Sequence, residues 1–105
     1  MKLMFIYFLF PLILTAQETP TFLISIKDHK FSPDTITVKE GQKFKIEVKN
    51  EDNSSEEFES NPMHIEKIIG PNKTLRLTLG PFKKGTYTFF GEFHLDTAHG
   101  KVVVE

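Results

Sequence analysis

"GTYTFFGEFHLDTAHGKVVVE", residues 85–105, sets the reading of the whole chain. Tyr87 and Phe89 alternate with Thr86 and Thr88, the period of a strand with one buried and one wet face. Gly91 ends that alternation, His94 and His99 follow five residues apart, and Gly100 leads into Val102, Val103 and Val104. The stretch predicts two strands joined by a loop that carries two imidazoles. Such a loop is either an ordinary polar connection or part of a metal site, since neutral imidazole is a common metal ligand.

The same period runs through the chain on the N-terminal side. In "KFKIEVK", residues 43–49, Phe44, Ile46 and Val48 alternate with lysines and Glu47. In "TLRLTLG", residues 74–80, Leu75, Leu77 and Leu79 alternate with Thr74, Arg76 and Thr78. "TFLISIKD", "DTITVK" and "MHIEKII" add further β-rich runs. Turn formers separate them: Ser32-Pro33-Asp34, Glu40-Gly41, Asn61-Pro62, Gly70-Pro71-Asn72, Gly80-Pro81 and Gly85. No stretch reads as a long helix. The expectation is an all-β Greek-key sandwich of about seven to eight strands, its core supplied largely by eight phenylalanines from Phe22 onward.

Residues 1–16 read as a signal peptide. Lys2 is the one charge before the apolar run Leu3–Leu14, and Thr15-Ala16 forms a small-residue exit. The run is short for a membrane-spanning helix. Residues 17–105 then form one domain with one core, exported to the periplasm. From Gln17 on there are twelve basic and fourteen acidic residues, a balance that argues against a nucleic-acid partner. The chain has no cysteine. Burial alone must therefore hold the fold, and blue-copper, zinc-ribbon, iron–sulfur and thiol-nucleophile chemistries are excluded together.

Residues 31–58, "FSPDTITVKEGQKFKIEVKNEDNSSEEF", resemble the first half of small cupredoxins, and residues 85–105 resemble the second half. "EEFES", "LGPFKKGTYTFFGEFH" and "DTAHGKVVVE" are most similar to EfeO-type cupredoxin-like domains, which are associated with periplasmic iron uptake. The resemblance implies a cupredoxin fold and places the ligands of a blue-copper site at four positions. The first histidine falls on Glu56, the cysteine on Gly91, the second histidine on His94, and the methionine near His99. It thus implies a metal set of Glu56, His94 and His99 for a copper or iron ion, without a blue-copper centre. It also implies a membrane iron permease, or another metal-transport component, as partner.

Several residues stand behind that set. Glu57 shares an acidic run with Glu51, Asp52, Glu56 and Glu59, and such runs are usually solvated. If Phe58 enters the core, strand parity turns Glu56 inward and Glu57 and Glu59 outward. Met63 and His64 follow the turn "SNP" and are secondary candidates at the same end of the sandwich. Asp96, between the late histidines, is a candidate partner for one imidazole. His29 lies outside the pattern and reads as a surface residue. No serine elbow, HExxH or phosphate-cradling glycine loop is present, so an enzyme is not expected. Two alternatives stay open: a metal-free accessory protein, and a small type-2 copper oxidase acting on ferrous iron. A monomer or weak dimer is expected.

Overall fold

The computed structural model describes residues 2–7 and 18–105. Residues 2–7 carry no regular structure and are exposed; the rest of the expected signal peptide, with the Thr15-Ala16 exit, lies outside the described residues. Nine strands follow: β1 (Thr21–Lys27), β2 (Lys30–Ser32), β3 (Thr35–Val38), β4 (Phe44–Asn50), β5 (Glu56–Ser60), β6 (Ile65–Ile69), β7 (Thr74–Leu79), β8 (Gly85–Gly91) and β9 (His99–Val104). A three-residue 3-10 turn, Glu92–His94, lies between β8 and β9.

The strands form two sheets, ordered β2-β1-β4-β7 and β3-β9-β8-β5-β6. Strand β1 pairs parallel with β4, and β3 parallel with β9; the remaining ladders are antiparallel. The chain is an all-β sandwich. Strand β2 is the element that the sequence pattern leaves out. It exists because Asp28 and His29 both adopt positive φ, 51° and 59°, and so close a two-residue hairpin turn between β1 and β2.

The alternating residues meet between the sheets. Ile24 and Ile26 of β1 and Phe44, Ile46 and Val48 of β4 face Phe58 of β5, Phe89 of β8 and Val102 and Val104 of β9. Phe31, Phe58 and Phe89 pack ring to ring, with centroids 5.0–5.7 Å apart. The ring of Phe89 lies across Gly100, where a Cβ would collide with it. Only glycine lets the aromatic cluster close over β9 at that point.

Parity also settles β5. Glu56, Phe58 and Ser60 are buried, while Glu57 and Glu59 face outward, where they gather with Glu66 of β6. A carboxyl–carboxyl hydrogen bond with Glu66 holds Glu57 above the usual carboxylate range, helped by lost solvent and by repulsion from Glu66, Glu59 and Glu92. Glu59 is raised first by lost solvent, then by the charges of Glu92 and Glu66. Met63 is buried in the core, and its N–H donates to Ser60 Oγ beyond the far end of β5.

Two outcomes follow from this packing. Phe89→Ala should cost about 3–5 kcal/mol of unfolding free energy, as for other large-to-small core changes; a loss under 1 kcal/mol in urea titration would contradict the aromatic core. Raised carboxyl pKa values in the folded state favour it below the unfolded carboxylate pKa, and that contribution is lost as pH rises through the folded values. Glu59→Gln should therefore raise the melting temperature at pH 7 and do so less at pH 4. Equal shifts at the two pH values would show that repulsion on this face is not the cause.

Candidate metal centre

At one end of the sandwich the start of β5 meets the end of β8. Phe58 pairs with Gly91, and Glu56, two residues earlier on the same face, reaches past it. Glu56 is 1% exposed. A buried carboxylate is costly unless its oxygens find partners, and here both do. Its Oε1 accepts the N–H of Phe93 at 2.9 Å and that of Glu57 at 3.0 Å. Its Oε2 lies 2.5 Å from Nδ1 of His94.

The loop after β8 is built to present His94. The Gly91 N–H donates to Ala98 O at 2.9 Å and closes the loop, while the N–H groups of Thr97 and Ala98 both donate to His94 O. Ala98 is fully buried. His94 therefore sits on a fixed turn, its side chain 25% exposed and its Nδ1 turned inward to Glu56.

The third group is His29. Its ring stacks on that of His94, with centroids 3.5 Å apart and planes 10° from parallel. One donor atom from each of His29, Glu56 and His94 lies within 4.8 Å of the others. A set of hydrogen bonds holds His29 there. Asp52 accepts the N–H groups of Asp28 and His29 at 2.8 and 3.0 Å, and its Oδ2 lies 3.4 Å from His29 Nδ1. Asp52 is fixed in turn by buried Asn50, whose Oδ1 accepts the Asp52 N–H and whose Nδ2 donates to the carbonyls of Ser54, Ile69 and Gly70. Thr97 Oγ1 donates to His29 O at 2.6 Å, joining the hairpin turn to the late loop.

The positions named from sequence divide accordingly. Glu56 and His94 come together. His99 does not join them: it opens β9 on the outward face, exposed, beside the carbonyl of Leu95, whereas its neighbour Ala98 takes the inward position. One residue of register puts His99 on the wrong side of the sheet. Glu57 belongs to the outer acidic face. Met63 and His64 follow the opposite end of β5, so their expected nearness to the site is corrected; His64 is an exposed turn residue with φ 56°. Asp96 is exposed on the loop, and the supporting carboxylate expected there is supplied instead by Asp52, which lies beside the imidazole of His29.

His29 corrects the surface reading, since its half-exposed ring forms the outer layer of the cluster. The signal for it was local: Asp28-His29 between two β-type runs suits a two-residue turn, and Asp52 is a short acceptor able to hold that turn. Their distance of more than twenty residues hid the pairing.

The three donors are one carboxylate and two imidazoles, a set suited to Cu(II), Zn(II) and iron. Metal–ligand bonds of about 2.0–2.2 Å place donor atoms roughly 3–4 Å apart, a spacing that small side-chain rotations reach from the observed one. The residues fit an ion.

The cupredoxin-like domain family model matches residues 2–104. The uncharacterized protein RP394 of Rickettsia prowazekii (strain Madrid E) is 44% identical over 81 residues, which cover 77% of this chain and 65% of that protein. The match thus spans less than two-thirds of the relative's length. Among solved structures, the metal-binding domain of the Cu(I)-exporting P-type ATPase CopA of Streptococcus pneumoniae D39, with Cu(I), superposes with a TM-score of 0.72 at 16% identity, covering 87% of this chain and 91% of that one. Auracyanin A, a "blue" copper protein of Chloroflexus aurantiacus, gives a TM-score of 0.69 at 19% identity, covering 82% and 99%. At these identities the superpositions speak for the fold alone; the family model, matched over nearly the whole length, shows that the chain belongs to the cupredoxin-like domain family.

Proposed function

We propose that this protein is an exported, periplasmic metal-binding protein that holds copper or iron during metal uptake or handling, without a blue-copper centre. The observation that carries the reading is the convergence of Glu56, His94 and His29 at one end of the sandwich. The absence of cysteine supports a site of oxygen and nitrogen donors. The leader-like residues 1–16 support export, and the named copper proteins that share the fold make copper the first ion to test. The resemblance to EfeO-type domains supports a membrane iron permease, or another metal-transport component, as partner. The role is binding and delivery, not turnover.

A second reading draws on the 2.5 Å contact between Glu56 and His94, which by itself partners the second oxygen of the buried carboxyl. A metal-free accessory protein would keep this pair as a structural link between β5 and the late loop.

Calorimetric titration with Cu(II), Zn(II), Fe(II) and Fe(III) separates the two. The metal reading expects one ion bound per chain near neutral pH, and weaker binding in acid as protons compete for the imidazoles. Glu56→Ala and His94→Ala should each weaken binding by at least the ~10–100-fold that loss of a ligand's supporting group costs. His29→Ala should weaken it too, and His99→Ala should leave it unchanged. Failure of all four ions to bind the wild type would establish the accessory reading.

A further inference from the structure

The position opposite the buried carboxylate carries more than the site's outline. A Cβ built on Gly91 would lie 2.6 Å from Glu56 Cδ and 2.8 Å from Glu56 Oε1. A Cβ does not approach non-bonded atoms so closely. The carboxyl group of Glu56 therefore fills the space that any side chain at position 91 would enter, and only one of the two can point into the site.

We propose that Gly91 is a specificity-determining residue: by leaving its space to the Glu56 carboxylate, it makes the site's anionic donor an oxygen and sets the site for divalent ions against Cu(I). This rests on the metal reading above and names the class of ion.

Three observations support it. The first is rigidity. Two backbone N–H groups clamp Glu56 Oε1, so the carboxylate is seated at this spot and turns Oε2 toward His94. The second is softness. Thiolate and thioether sulfur favour Cu(I), while imidazole and carboxylate suit borderline and harder divalent ions. The chain has no cysteine, and Met63 is locked in the core beyond the other end of β5. The third is charge. An anion buried this deeply is offset more fully by a dication than by a monovalent ion, because Coulomb attraction scales with charge and is screened less away from water.

The test compares Zn(II), Cu(II) and, under anaerobic reducing conditions, Cu(I), each in competition with a chelator. The wild type should retain the divalent ions and lose Cu(I). In Gly91→Ala the new methyl meets the clamped carboxyl of Glu56, 2.6 Å away, and the buried Cβ of Ala98, 2.7 Å away, on the loop. The carboxylate and the loop at Ala98 must both shift to admit it, so divalent affinity should fall about 10–100-fold while the β-sheet circular dichroism is kept. The exchange variant Glu56→Ala/Gly91→Cys/Ala98→Gly removes both groups that the new Cβ would meet and places a sulfur in the vacated space. It should gain Cu(I) affinity over the wild type and show a thiolate-to-Cu(II) charge-transfer band, and it decides the matter should Gly91→Ala fail to fold. Cu(I) held by the wild type as tightly as Zn(II), or an exchange variant with neither gain, would overturn the inference and leave the metal reading standing. Failure of every ion to bind the wild type would instead remove the metal reading, and this inference with it.

Discussion

The carboxylate of Glu56 is the constraint around which this end of the molecule is arranged. A carboxylate with 1% of its residue exposed cannot be left without partners. Each neighbouring element answers that requirement. The start of β5 and the turn after β8 each supply an N–H, the late loop supplies His94, and β8 supplies the space by carrying glycine at position 91. The same carboxylate that makes the site chemically competent also ties two strands and a loop together. The proposed function and the local stability rest on one group.

The imidazole layer is held by a different set of interactions, and they run across the sandwich. Asn50, at the end of β4, spends its amide on three carbonyls and on the N–H of Asp52. Asp52 then fixes the Asp28-His29 turn, whose left-handed backbone is unfavourable for residues other than glycine and is accepted here with both amides bonded. Thr97 joins that turn to the loop bearing His94. A ligand loop on one sheet and a hairpin tip on the other are thereby placed in contact by hydrogen bonds rather than by apolar burial. Such bonds are directional, which is what the position of a donor atom requires.

Much of this was legible in the sequence, for definite reasons. Period-two alternation marked β4, β7 and β8 because each has one inward and one wetter face, and the parity of Glu56 with Phe58 followed from the same rule. The Glu56–His94 half of the site came from the resemblance, which fixes positions along the chain. That guide misled at His99, where one step of strand register turns the side chain outward and gives the inward place to Ala98. It gave no hint of His29, because that contact depends on how a hairpin tip of one sheet meets a loop of the other. Strand β2 was missed on the same account: three residues are too few for a period to show, and the turn residues that create it are neither Gly nor Asn. Pairings between distant turns are set by the closed fold, and no local pattern records them.

Glu56, His94 and His29 converge on one point, and the proposed metal site there has a carboxylate as its anionic donor. The most direct measurement is the position of an anomalous-scattering peak in crystals of the protein grown with Zn(II) or Cu(II). A peak is expected within bonding distance of a Glu56 carboxylate oxygen and of His94, with His29 beside it. A peak at His99, or on the outer face among Glu57, Glu59 and Glu66 with the Glu56–His94 contact intact, would contradict it.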